Sequence, residues 1–203
     1  ASALVLDNGH ARVGIVAIDS IGFFHDDVIR VRQAIPADWK LDYVVVCSTH
    51  NHSTPDLMGL WGPSPLQSGV DPAYKLQVIH GARDALGLAI TNLTPARMAA
   101  HEIVVDPTGL VADTRKPKVF DADLRVLLFT HAANGSVLGS LVGWGNHPET
   151  PWSGNRDITA DFPGVIRRAL AQGIPGTNNT PFRKGLGGKH VFVNGAVGGL
   201  MTT

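Results

Sequence analysis

The chain has 203 residues, 44% of them apolar, with 17 basic side chains balanced by 17 acidic ones. That content supports a sizeable core and excludes disorder, and no apolar run approaches the roughly 18 residues of a membrane helix. The balanced charge and scattered basic residues give no footprint for nucleic acid. A single cysteine, Cys47, excludes an intrachain disulfide framework and a multi-cysteine zinc module; ending the run YVVVC, it reads as a small buried apolar residue. The opening ASALVLDNG reads as a strand, so no signal peptide is visible.

In chain order, SALVLDNGHARVGIVAID predicts a hairpin turning at Asp7-Asn8-Gly9. HDDVIRVRQAI has helical spacing at Val28, Val31 and Ile35 and stops before Pro36, with Asp26 and Asp27 suiting the positive end of the helix dipole. DYVVVCS is continuously apolar and reads as a strand buried on both faces. A Gly- and Pro-rich loop follows over 53–70. Asp71-Pro72 then opens the longest helix, with Ile79, Ala82, Leu86 and Ile90 on one face. ARMAAHEIVVD reads as a strand and 107–122 as a polar loop. A second hairpin turns at Asn134-Gly135, a helix runs near 162–172 and stops at Gly173, and KHVFVNG is a last short strand before AVGGLMTT. Hairpins beside helices predict a mixed α/β fold, with mixed sheets and helices layered in a three- or four-layer sandwich and one domain over 1–203.

The chemistry gathers at strand ends. His50 and His52, in CSTHNHSTPD, stand where an apolar strand runs out. Imidazoles at i and i+2 of an extended segment share a face, turning Asn51 away, and His-x-His is a recurrent metal-ligand spacing. A pair of hydrogen-bonded surface histidines is the plain alternative. His147, in WGNHPETP, also ends a strand and also precedes a proline. Two strands that each deliver a histidine could converge on one metal. Glu149 and Asp56 read as loop charges or as partners of a ligating imidazole, ahead of a reading as metal ligands themselves. Asp161, in DITADFPG, reads as a helix N-cap that can also orient a histidine. The glycine-rich turn VNGAVGGLM, with Gly195, Gly198 and Gly199, could present N–H groups to an oxyanion or serve as a tight turn. There is no G-x-S-x-G, no HExxH and no phosphate-binding P-loop. His10, His25, His80, His101, His131 and His190 have no partner pattern.

The order of these clusters, STHNHSTPD, TRKP, NHPE, a TAD-type helix start and NGAVGG, resembles the N-terminal catalytic domain of the neutral/alkaline (non-lysosomal) ceramidases over nearly the whole chain. The resemblance implies a zinc-dependent amidase that cleaves the N-acyl bond of ceramide. It matches His50 and His147 to zinc-ligand histidines, His52 to a neighbouring catalytic histidine and Arg115 to a catalytic arginine. It also implies a further glutamate and tyrosine ligand beyond Thr203, so the chain is expected to be incomplete at that end. Gly198 stands where the family carries a serine, which removes one substrate contact and leaves the acylated substrate open.

On this reading zinc activates a water that attacks an amide carbonyl. His52 or Arg115 stabilises the oxyanion, and His52 passes a proton to the leaving amine. The expected partner is a small-molecule or lipid amide, with no nucleic acid and no transmembrane segment. Peripheral membrane contact would run through the LMGLWGPSPL loop (Leu57, Met58, Leu60, Trp61, Leu66) unless that loop folds into the core. A secreted or periplasmic home is implied by the resemblance alone. The competing readings are a metal-dependent hydrolase of an ester, sugar or phosphate, and a non-catalytic domain that binds lipid or a partner.

Overall fold

The computed structural model describes residues 1–178 and 180–203. They fall into two compact units, one of Ala1–Leu93 with Ser153–Thr159 and one of Thr94–Trp152 with Ala160–Thr203.

In the first unit β1 (Ser2–Asp7) and β2 (Arg12–Ile18) form the expected hairpin, paired from Ser2 with Ala17 to Asp7 with Arg12. Asp7 closes the turn by accepting the N–H of Gly9 at 2.8 Å, and Gly9 takes a φ of +82°, which glycine adopts without strain. Helix α1 (His25–Gln33) crosses over to β3 (Tyr43–Ser48), which lies parallel to β2. Helix α2 (Pro72–Thr91) is capped by Asp71, whose carboxylate accepts the N–H groups of Ala73 and Tyr74 at 2.8 and 3.3 Å. Its Ile79, Ala82 and Leu86 bury against Val5, Val16, Ile18, Val31 and Val44. Gly14 on β2 makes room for this helix: a β-carbon there would stand 2.7 Å from Leu86. Strand β3 departs from expectation. Val44 is buried, yet Tyr43 and Val45 are exposed, because alternate residues point to opposite faces and α1 and α2 pack on the face that carries Val44.

The second unit is built on a four-stranded sheet in the order β10-β7-β6-β4. Its members are β4 (Ala96–Val104), β6 (Asp123–His131), β7 (Val137–Trp144) and β10 (Lys189–Asn194). The β6–β7 hairpin turns at Asn134-Gly135 as expected, with His131 N–H bonded to Ser136 O at 2.8 Å. From β7 the chain passes through α3 (Asp161–Gln172) to β10, which pairs parallel with β7. Phe162, Ile166 and Leu170 of α3 cover Val142, Trp144 and Phe192. The Phe162 ring meets Trp144 and Phe192 edge-on, with centroids 6.0 and 5.6 Å away. Two short pairs complete the unit: β5 (Val111–Asp113) with β11 (Leu200–Thr202), and β8 (Gly173–Ile174) with β9 (Arg183–Lys184). The segment 107–122 is therefore more than a loop, and the tail after the glycine turn is a strand. Each of β5 and β11 has three residues, too few to carry a period, and each is a strand only because the other pairs with it.

Mixed sheets, two hairpins and helices layered on sheets make this a mixed α/β fold, as expected. Among the described residues no helix is long and apolar enough to cross a membrane.

Candidate metal centre

In the first unit the β3 ladder runs on through Thr49, whose N–H donates to Ile18 O at 2.9 Å. The next residue, His50, takes a φ of +65°. That left-handed turn, unusual for a residue with a β-carbon, replaces the simple extended alternation expected from the spacing. His50 Nδ1 lies 2.7 Å from Ile21 O. A carbonyl can only accept, so Nδ1 carries the proton and Nε2 of the neutral ring presents a lone pair. His52 Nε2 stands 3.4 Å from His50 Nε2, the two rings meeting edge-on at 85°. Two imidazole nitrogens bound tetrahedrally to zinc at about 2.0–2.1 Å would be separated by about 3.3–3.4 Å. The pair therefore has the edge length of such a site.

In the second unit His147 is buried just beyond β7. Its Nδ1 lies 2.7 Å from Leu200 O, and its backbone N–H donates to the same oxygen at 3.0 Å. The tautomer is fixed as it is for His50, with the lone pair on Nε2. Both histidines thus carry the outer bond to a backbone carbonyl that metal-ligating imidazoles commonly make. His50, His52 and His147 can each offer an imidazole nitrogen to a metal ion.

The remaining candidates hold specific places. Asp161 is buried and accepts Thr150 N–H at 3.0 Å, Thr150 Oγ1 at 2.9 Å and the N–H of Phe162, so it ties the start of α3 to the loop that follows His147. Glu149 belongs to that loop, its N–H bonded to His147 O and its carbonyl to Trp152 N–H. Arg115 is anchored by buried Asp113, with Nε 2.9 Å from Oδ1 and Nη2 3.1 Å from Oδ2. The Arg115 side chain, with the N–H groups of Val119 and Arg115, holds the Asp113 carboxyl far below the ordinary carboxylate range. Arg115 lies on the Gly198–Gly199 backbone, where a β-carbon at Gly199 would come 2.5 Å from its Nε. Gly195 makes a different approach, packing on the Trp144–Gly145 backbone with its N–H donated to Trp144 O.

Other groups are settled by their surroundings. Asp56 accepts the N–H groups of Met58, Gly59 and Trp61 at 2.8, 2.9 and 2.9 Å and so shapes its own loop. Burial raises the Cys47 pKa to about 11, which leaves a thiol and no nucleophilic thiolate near neutral pH. The apolar loop divides: Leu57 is buried, whereas Leu60 and Trp61 are half exposed and Leu66 is fully exposed.

No protein-family model and no curated protein sequence matches the chain. Solved structures do. The chain superposes on the neutral ceramidase from Pseudomonas aeruginosa with a TM-score of 0.76 at 18% identity, over 96% of its own length. It has a ceramidase-like fold. A second structure, a ceramidase complexed with C2, gives a TM-score of 0.79 at 19% identity over 98% of the chain. The chain spans 32% of the length of each of these ceramidase structures.

Within the ceramidase-like fold, sequence reasoning missed the partners of the histidine pair. Asn51 is fully buried and donates from Nδ2 to Thr159 O at 2.5 Å; Thr159 N–H in turn reaches Ser53 O at 3.0 Å. Asn155 adds a bond from Nδ2 to Ser53 Oγ at 3.2 Å. More than a hundred positions separate these partners in sequence, and no local pattern records them.

Proposed function

We propose that the chain is the catalytic domain of a zinc-dependent amide hydrolase of the ceramidase type, spanning 1–203, with His50 and His147 as metal ligands. The observation that carries the reading is the shared bond from Nδ1 to a backbone carbonyl, which leaves both histidines with Nε2 as the donor atom. The donor chemistry also fits, since neutral imidazole nitrogens suit zinc. Zinc, when bound, supplies a Lewis acid that polarises the acyl carbonyl and activates water.

The chain's own residues supply the rest. His52 moves the protons: it takes one from the attacking water and returns it to the amine as the C–N bond breaks. Arg115, oriented by Asp113, places a guanidinium beside the Gly198–Gly199 turn and stabilises negative charge on the substrate oxygen. Glu149 and Asp161 hold the loop that follows His147. The substrate class, an N-acyl lipid amide, is proposed from the likeness to ceramidases.

Metal content decides first. Plasma emission on this chain and on a longer form, both purified without a histidine tag, should find about one zinc per molecule in the form that supplies the remaining ligands. His50→Ala and His147→Ala should each lose it. Stoichiometric zinc in either variant overturns the ligand assignment. Zinc-loaded protein should then hydrolyse a short-chain ceramide and stop on chelation. Turnover of simple esters with none of ceramide moves the substrate to the ester class.

A further inference from the structure

We infer that Asn51 is a positioning residue that holds His50, the proposed ligand, and His52, the proposed proton carrier, in their mutual geometry, an inference that rests on the functional reading above. The backbone reverses at His50 into a left-handed conformation that a β-branched or bulky residue does not adopt unaided. Such a conformation persists only where its surroundings determine it more than once. His50 contributes its own bond to Ile21 O. Asn51 contributes the others, because all four of its polar groups are used. Its N–H donates to Ser20 O at 3.0 Å, which continues the track begun by Thr49 on Ile18. Its Oδ1 accepts Ser53 N–H at 2.9 Å, fixing the turn that carries His52. Its carbonyl accepts Thr54 Oγ1 at 3.1 Å. Its Nδ2 donates to Thr159 O and so fastens the turn to the segment 153–159.

Asn51 has no accessible surface, and it stands directly between the two histidines. An apolar or shorter side chain at this position loses the forward bond and the bond across to Thr159 together. An aspartate keeps the acceptor and loses the donor. The 3.4 Å separation of the two Nε2 atoms is thus set by the residue between them, and the residue expected to be turned away is the one that fixes the pair.

The test compares Asn51→Ala with Leu86→Ala, a core change in the same unit that touches none of these bonds. Zinc affinity is measured by chelator competition. Histidine side-chain 15N spectra are recorded on the metal-free proteins. Asn51→Ala should weaken zinc by about 10–100-fold, the usual effect of removing a group that orients a ligand. It should also move the His50 and His52 resonances away from the pattern of a single fixed tautomer. Leu86→Ala should lose stability with affinity and resonances unchanged. Unchanged zinc affinity and unmoved resonances in Asn51→Ala overturn the inference, and so does equal weakening in Leu86→Ala, which would reduce the effect to general destabilisation. If Asn51→Ala does not fold, Asn51→Asp is read in the same way. If neither the wild-type chain nor the longer form takes up zinc, the functional reading fails, and the metal-free spectra still decide this one: moved resonances sustain the positioning role and unmoved ones end it.

Discussion

The two strand ends that carry the histidines look alike in sequence and are built differently. Past β3, His50 and His52 are held by a turn with many independent ties: Ile21, Ser20, Ser53 and Thr159 each accept or donate one bond. Past β7, His147 hangs its backbone N–H and its ring on a single oxygen, that of Leu200. That oxygen belongs to β11, a three-residue strand whose one strand partner is β5. The second end has ties of its own, since Asn146 is bonded to Asn194 and Leu110 and Thr150 to Asp161, but the His147 ring itself turns on the Leu200 carbonyl of a short strand. Damage to the support of each end should therefore have unequal consequences.

The largest expected effect comes from a matched pair of core truncations. Leu86→Ala in the first unit and Leu200→Ala in the second each remove a fully buried leucine and should each cost about 2–5 kcal/mol. Urea unfolding measures both. The stability losses should be similar, but only Leu200→Ala should disturb a histidine, because only Leu200 supplies the carbonyl that fixes one. In 15N spectra His147 should then sample both tautomers while His50 keeps one. If Leu200→Ala leaves His147 unchanged, β11 is held by its pairing with β5 alone, and the contrast between the two ends is smaller than the bonding pattern implies.

This contrast also explains what could be read in advance. The hairpins at Asn8-Gly9 and Asn134-Gly135, the Asp71 cap of α2 and the stop of α3 at Gly173 depend on residues close together in the chain, and local patterns show them. His50, His52 and His147 stood out as candidates because a histidine at a strand end, a few residues or fewer before a proline, is a local pattern too. What holds them was not. Ile21 lies 29 residues from His50, Leu200 lies 53 from His147, and Thr159 lies 108 from Asn51. Strands β5 and β11 are too short to show a period. The exposed side of β3 was misread because a run of valines looks the same whether helices cover one face of a sheet or both.

A middle-sized effect is expected beneath β7. Ser140 and His190 are paired across the β7–β10 ladder and both are buried. His190 Nε2 donates to Gly187 O at 2.9 Å, so its Nδ1 accepts the Ser140 hydroxyl at 2.8 Å. Ser140→Ala leaves that acceptor unmatched and should cost about 1–3 kcal/mol. Burial holds the His190 pKa below the ordinary imidazole value, outweighing the Gly187 carbonyl that favours the charged ring. The unfolded chain therefore binds more protons than the folded one below about pH 6.5, the ordinary imidazole value. The stabilisation from neutral His190 should be complete above that pH and decline as pH falls through it. His190→Gln should flatten this part of the stability profile. The same scan on Asn51→Ala should keep the slope, since the first unit has no part in it.

The smallest effect concerns the loop that follows His147. Thr150 donates both its backbone N–H and its hydroxyl to Asp161, and Asp161 opens α3. Thr150→Val removes the hydroxyl bond and keeps both the backbone bond and the shape, at a cost of about 0.5–1.5 kcal/mol. A bond to an ionised carboxylate at the upper end of that range would mark Asp161 as the main tie of this loop. The corresponding change at the other strand end is Asn155→Ala, which removes the bond to Ser53 Oγ, where Thr159 supplies another to the same residue, and two local bonds to Asp157. If the first end is the redundant one, Asn155→Ala should be nearly silent in zinc affinity whatever its small stability cost. Thr150→Val should then lower zinc affinity by more than its small stability cost suggests, because Asp161 holds the loop that leads directly from His147. Equal effects from the two variants would mean that the His147 loop is as well supported as the His50 turn, and that its dependence on the Leu200 carbonyl is a feature of geometry without consequence for the metal.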